Sequence, residues 1–420
     1  MYKKFKLKNG AKIVIAPMKS TKTVTVLVIV GTGSKNETNK IRGISHFLEH
    51  MFFKGTEKRP TKLDISKELD SVGGSYNAFT GKEHTGFWAK VDSKHCDLAL
   101  DVISDMLLNS KLATEDIDSE RGTIIEELNM FFDNPMMRIP FLFEEVLYLN
   151  NSMGWDIGGT KKTIKSVQKI DFMDYYKKYY TGDNIVIVVA GNFNEKLIKN
   201  KINQYFNSIS KTKSKKQLKA YDKQIKPNVY LKYQKTDQSH LCLGVRGYKN
   251  GHKDKYALNL LSIILGGNMS SRLYMSVVEK GLAYYIYTSP ESYNDVGYLA
   301  SQTGVNNEKC LNAINIIIDE YKKIKNEKVG IEEIKRAKDY LKGQSVIALE
   351  SSSSMASFFA TQELDVGKIL TPEEKFAKID KVTAEDIQRV ANDIFVDKKL
   401  NLALIGPFNN KKMFRKILKF

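Results

Sequence analysis

Cysteine is scarce: Cys96, Cys242 and Cys310 are the only three in 420 residues, an odd count with no two at metal-ligand or redox spacing. That excludes a disulfide-stapled scaffold, and free buried thiols in a reducing compartment are the simplest reading. No apolar run reaches membrane-spanning length. The N-terminus, Met1-Tyr-Lys-Lys-Phe-Lys-Leu-Lys8, lacks the apolar core of a signal peptide, so the expectation is a cytoplasmic chain with no membrane partner. Acidic residues are in deficit, 48 Asp and Glu against 66 Lys and Arg, for a net charge of +18. The excess is mostly lysine scattered along the chain rather than gathered with aromatics into a stripe. It reads as a solvated surface, and nucleic acid is not an expected partner.

What is present is ample material for packed cores. Hydrophobic residues make up 42% and aromatics 10%, well away from a disordered composition. The length exceeds one comfortable core and suggests two domains. Phe5 and Leu7, then Asn9-Gly10, then Ile13 and Ile15 predict a hairpin with a type I′ turn. Val24 to Val30 is a nearly continuous β-branched and apolar strand closed by Gly31. A helical stretch follows from about Ile44 to Phe53, and another begins at Thr61, whose hydroxyl faces Asp64 in capping-box spacing. The fold class is α+β.

The chain also echoes itself. Asn184-Ile-Val-Ile-Val-Val-Ala-Gly191-Asn-Phe193 returns as Asn401-Leu-Ala-Leu-Ile-Gly406-Pro-Phe408, the two glycines 215 positions apart. At the same offset the strand Val26 to Val30 meets Leu241 to Val245. Two homologous halves follow, one spanning 1–207 and the other 228–420. Residues 208–227 between them are polar and lysine-rich, with too little apolar surface to fold, and read as an exposed linker.

The chemistry lies in His46-Phe-Leu-Glu49-His50, an H-x-x-E-H motif in a chain with only six histidines. On a helix His46 and His50 are i and i+4, so both imidazoles leave one face and can grip a single ion. Glu49 lies beside them, placed to reach a water on the metal as general base without being a ligand. A catalytic zinc takes three protein ligands, so a third must come from elsewhere. Ser119 to Phe132 reads as a helix, with Glu120 and Glu127 at i and i+7 on one face.

These residues resemble the pitrilysin and mitochondrial processing peptidase family, in particular its short bacterial members that carry a single half. Its metal motif is H-x-x-E-H followed by a ligand glutamate after 76 intervening residues, and 76 residues separate His50 from Glu127 here. The resemblance thus implies one zinc ion per chain on His46, His50 and Glu127, with Glu120 assisting catalysis. It implies two homologous αβ domains, each a mainly antiparallel sheet packed by helices, the first carrying the metal. Gly74-Ser-Tyr-Asn77-Ala78-Phe79-Thr80 looks like the family's substrate-pairing edge strand. Read from the residues alone, a strand there could add a peptide through backbone hydrogen bonds, and Asn77 could equally be a strand-end turn residue.

In the second half, Gly281-Leu-Ala-Tyr284 resembles the segment that supplies the family's substrate-binding tyrosine, Tyr284 taking that place. The arginine the family sets six or seven residues earlier is replaced by Val278 and Val277, and the nearest arginine, Arg272, looks structural. Position 261, His46 plus 215, is Leu261, so the second half has no metal site. The implied activity is endopeptidase cleavage of short or unfolded peptides inside a closed chamber, with a homodimer completing that chamber. The rival expectation is a non-catalytic or partner-dependent subunit that keeps the fold and the metal.

Overall fold

The computed structural model describes residues 2–221 and 223–420. In chain order its elements begin with β1 (Lys3–Lys6), β2 (Lys12–Pro17), β3 (Thr23–Val30), α1 (Ile44–Phe52), α2 (Lys62–Asp70), β4 (Ser75–Thr80) and β5 (Thr85–Asp92). Then come α3 (Cys96–Asn109), α4 (Thr114–Asp133), α5 (Pro135–Leu147), α6 (Lys161–Ser166), α7 (Lys169–Tyr179), β6 (Ile185–Gly191) and α8 (Glu195–Phe206). The later elements are β7 (Asn228–Tyr233), β8 (Gln238–Arg246), α9 (Lys255–Gly266), β9 (Ala283–Ser292), β10 (Gly297–Asn306), α10 (Cys310–Asn326), α11 (Ile331–Leu349), α12 (Ser352–Asp365), α13 (Pro372–Asp380), α14 (Ala384–Ile394), β11 (Leu400–Gly406) and α15 (Lys411–Ile417).

Two mixed sheets result. One has the order β1-β2-β6-β3-β5-β4 and the other β7-β11-β8-β10-β9. Each is antiparallel except for one parallel pair, β2 with β6 and β7 with β11. The repeat seen in the sequence holds in the strands, because β6 and β11 begin 215 positions apart, at Ile185 and Leu400. β3 and β6 are buried on both faces, which explains why they read as unbroken apolar runs rather than alternating ones.

The compact units differ from the contiguous spans 1–207 and 228–420. One unit comprises Met1–Asn129, Trp155–Leu218 and Val346–Ile369; the other comprises Met130–Gly154, Lys219–Ser345 and Leu370–Phe420. The exchanged segments carry α5 and α12, helices whose apolar sides bury against sheets far from them in sequence. In the first unit Ala356, Phe359 and Ala360 of α12 pack on Val14, Leu27, Ile29 and Val188. In the second, Ile139, Leu142, Phe143 and Val146 of α5 pack on Cys242, Tyr298, Ala300 and Ala403. A chain cut at 207 would expose both faces.

Two local readings are refined. The predicted hairpin forms, with Lys6 opposite Lys12, but its loop is not a two-residue type I′ turn. Such a turn needs positive φ at both central residues, and of the Asn9-Gly10 pair only Gly10 has it, at 102°. The Asn9 side chain instead accepts the Ala11 N–H at 3.1 Å and donates to the Phe206 carbonyl at 2.6 Å. The Thr61–Asp64 capping box is present as read. Residues 208–221 are mostly exposed, yet the segment is tied down: Gln217 donates to the carbonyls of Gly31 and Glu83, and the Leu218 N–H to Asn36. No helix among the described residues is long and apolar enough to cross a membrane.

Candidate metal centre

α1 has two useful faces. Ile44, Phe47, Leu48 and Met51 recur at helical spacing and are fully buried, with Phe47 edge-on to Phe172 of α7 at 4.9 Å. The opposite face is left to His46, Glu49 and His50. The helix start is fixed by a carboxylate: Glu37 accepts the N–H of Gly43 at 2.7 Å and of Ser45 at 2.9 Å. Anions are favoured at this end, where amides lack partners and the helix dipole is positive. Gly43 has φ +89°, and a Cβ there would lie 2.6 Å from the Gly158 carbonyl oxygen, so only glycine serves. A second anchor is Tyr175, whose hydroxyl bonds Ser45 at 2.8 Å and Thr32 at 2.7 Å.

α4 supplies the facing carboxylates. Ile117, Ile124 and Leu128 bury one side of it, and Arg121 donates to the Val167 carbonyl at 2.7 Å, anchoring the helix to the segment after α6. Glu120 falls on the buried side and Glu127 on the half-exposed one.

The two helices bring His46, His50 and Glu127 together. The two Nε2 atoms lie 3.2 Å apart, and Glu127 Oε2 is 3.6 Å from each. Donors about 2.0–2.1 Å from a tetrahedral zinc stand roughly 3.3 Å from one another, so these separations fit such an ion. Protonation fits as well. Burial, reinforced by neighbouring His50, drives the His46 imidazole down to about 3, which keeps it neutral and able to ligate. His50 Nδ1 lies 2.9 Å from Glu120 Oε1. A carboxylate only accepts, so Nδ1 carries the proton of this bond, and Nε2 is the nitrogen turned toward His46 and Glu127. Burial would raise the Glu120 carboxyl, but hydrogen bonds from His50 and Lys54 outweigh it and hold the group at about 2. This is the one group of three or more potential metal ligands among the described residues.

Glu49 sits beside these donors and accepts a hydrogen bond from the Thr80 hydroxyl. Burial raises its carboxyl above the usual range, partly offset by that bond. Thr80 ends β4, the edge strand of the six-stranded sheet, which is paired only with β5. Asn77 and Ala78 lie on this open edge, the Asn77 side chain accepting the Ala78 N–H at 2.8 Å. The Phe79 ring instead packs toward the sheet, over Gly86, where a Cβ would meet it at 2.2 Å.

The remaining singled-out residues belong to the second unit. Tyr284, at the start of β9, is 90% exposed. Val277 is fully buried, Val278 packs on the same core, and both lie in a π-type helical turn, Tyr274–Val278. The Arg272 guanidinium is engaged by Glu333 through two bonds of 2.8 and 2.7 Å. Leu261 is buried in α9, so nothing at that position could ligate a metal. Sequence reasoning assigned no role to Thr80, Lys54, Glu37 or Tyr175. Of these only Lys54, one helical turn beyond His50, carried a signal in its spacing.

Two helices presenting a pair of imidazoles and a carboxylate at zinc-like separations, in an α+β chain of two like halves, make a candidate metal centre. Comparison with known proteins narrows the class. Residues 12–160 match the Insulinase (Peptidase family M16) model and residues 166–341 the Peptidase M16 inactive domain model. The chain is 35% identical over 412 residues to the uncharacterized zinc protease YmxG of Bacillus subtilis, covering 98% of this chain and 99% of that protein. It is 32% identical to an uncharacterized zinc protease of Streptomyces coelicolor, covering 97% and 90% of the two chains. Among solved structures, a protease from Helicobacter pylori superposes with a TM-score of 0.90 at 25% identity, over 97% of this chain and 99% of that one. The chain belongs to peptidase family M16.

Proposed function

We propose that the protein is a zinc-dependent endopeptidase acting on short or unfolded peptides. The observation that carries this reading is the convergence of His46, His50 and Glu127 with a buried carboxylate, Glu49, beside them. Those three side chains would hold a zinc ion, which would supply Lewis acidity toward water and the scissile carbonyl when bound. Glu49 takes the proton of the attacking water, and the Thr80 hydroxyl keeps its carboxylate turned into the site. Glu120 holds His50 in the tautomer that ligates. The open edge at Asn77, Ala78 and Phe79 binds substrate as an added strand, through main-chain bonds indifferent to sequence. On the homodimer reading, Tyr284, exposed at the start of β9, would come from a second copy of the chain and donate to the developing oxyanion.

Quenched peptides of mixed sequence should be cleaved by the zinc-loaded protein and spared after chelation, while folded domains are spared throughout. Zinc bound at one per chain without any cleavage would overturn the reading. A homodimer completes the chamber on this proposal, and sedimentation of a peptide-cleaving monomer would remove it.

A second reading, a partner-dependent or non-catalytic subunit, is favoured by one observation: Val277 and Val278 are core residues where a substrate-clamping cation is expected, and Arg272 is occupied by Glu333. Activity appearing only on adding a second protein would support it.

A further inference from the structure

We infer that the first unit carries a binding site for a short aliphatic carboxylate, apart from the metal centre. A cavity of about 340 Å³ lies between α1, α7 and the C-terminal end of α3 with the residues that follow it. Its apolar wall is Phe52, Leu107, Leu108, Leu112, Met173 and Tyr176. That volume is at the small end of ligand sites, and the mix of apolar and aromatic walls with few polar groups is their usual composition.

Charge sets the kind of occupant. Lys111, Lys169 and Lys177 line the same cavity, and no acidic residue does. Lys111 and Lys169 donate only to main-chain carbonyls, of Pro60 at 3.2 Å and of Lys111 at 3.5 Å. None of the three forms an ion pair with a carboxylate among the described residues, and Asp64 acts on Lys111 only through space, so three ammonium groups stand at an apolar pocket that no acidic residue lines. A second cavity of about 330 Å³, beside α10, makes the contrast: there Lys280, Lys322 and Lys323 line it together with Asp319, Glu320 and Glu327. Its charges cancel internally and call for no ligand of either sign.

The wall is also held in an unusual backbone state. Leu112 has φ +44°, the left-handed region that a branched apolar residue rarely adopts, and its side chain is buried. The Lys111 N–H bonds the Gly55 carbonyl at 3.1 Å and the Tyr176 hydroxyl donates to the Leu107 carbonyl at 2.9 Å. Such strain persists where surrounding structure over-determines it, and it concentrates at ligand sites. Phe52 stands two residues beyond His50, roughly the opposite side of α1 from the metal ligands. An occupant here does not compete with peptide at the metal.

The test is calorimetric titration of the full-length chain with decanoate below its micellar concentration, alongside decan-1-ol, acetate and acetyl-Leu-Leu carboxylate. Decanoate should bind at one per chain, with the alcohol and acetate about ten-fold weaker or more. The pair of surface changes Lys169→Gln and Lys177→Gln should weaken decanoate about ten-fold and leave decanol unaltered. Met173→Trp should fill the cavity and abolish binding while the melting temperature and zinc content stay at wild-type values. Decanoate failing to bind, decanol binding equally well, or the lysine variants binding as wild type would each overturn the site. Tighter binding of the dipeptide would overturn the free amphiphile as occupant and assign the cavity to a peptide terminus.

Discussion

His50 directs Nδ1 to Glu120 at 2.9 Å and Nε2 toward the pocket that Glu127 shares, so two carboxylates at i and i+7 on α4 bracket a single imidazole. One carboxylate decides which nitrogen carries the proton, and the other stands with the nitrogen left free. Lys54 holds the second oxygen of Glu120. The charge of Glu120 is thereby balanced from one side while it polarises His50 from the other.

Replacing Glu120 by Gln keeps an acceptor for Nδ1–H but removes the charge. Partners of this kind are worth about 10–100-fold in metal affinity or activity. Competition against a chromogenic chelator should show zinc affinity falling within that range, with Lys54→Met moving it in the same direction by less. Unchanged affinity in Glu120→Gln would mean that α4 holds the imidazole by packing rather than by this bond.

Glu49 is not among the converging donors, and its change should separate binding from turnover. Glu49→Gln should retain one zinc per chain by elemental analysis and lose about 10²–10⁴-fold in kcat, the usual contribution of a positioned base. Thr80→Val should lower kcat less and leave zinc content alone, because it frees the carboxylate without removing it. A Glu49→Gln protein that cleaves peptides at the normal rate would strike this residue from the mechanism.

Ion binding should also register as stability. A ligand present at a hundred-fold over its Kd adds about 2.7 kcal/mol to the folded state, so zinc should raise the melting temperature of the wild-type chain. His50→Ala and Glu127→Ala should abolish that rise. A zinc-dependent shift that survives both substitutions would place the ion elsewhere.

Much of this was legible in the chain itself. His46, Glu49 and His50 share a helical face by spacing alone, and the strand at Ile185 announces its counterpart at Leu400 because both are buried on two faces and tolerate only apolar residues. Helical periodicity did not choose between Glu120 and Glu127, which are i and i+7 on α4; the 76-residue interval implied by the family resemblance did, and the packing of Ile117 and Ile124 then leaves Glu120 buried and Glu127 partly exposed. The exchange of α5 and α12 was hidden for a similar reason. An apolar helix face states that it must be covered, without stating by which sheet. Glu37 gave no signal because its role depends on a loop bringing it back, six residues on, to the amides of α1.

That buried carboxyl yields a pH dependence of definite sign. Burial raises Glu37 to about 7, against opposing hydrogen bonds from the Ser45 and Gly43 amides. A group whose folded pKa exceeds its unfolded value of 4.5 binds its proton more tightly in the folded state. Its contribution is therefore full below about pH 4.5, falls as the pH rises through 7, and is lost above. A displacement of that size corresponds to about 3 kcal/mol. Other carboxylates, Glu120 among them, titrate in the opposite sense and obscure the effect in the wild-type curve alone. The difference between wild type and Glu37→Gln isolates it: in urea unfolding of the metal-free proteins, wild type should lose about 3 kcal/mol relative to the variant between pH 4.5 and pH 8. A difference that stays flat over this interval would mean that Glu37 ionises in the folded protein as readily as in the unfolded chain, with the two amides at the start of α1 fully compensating its burial.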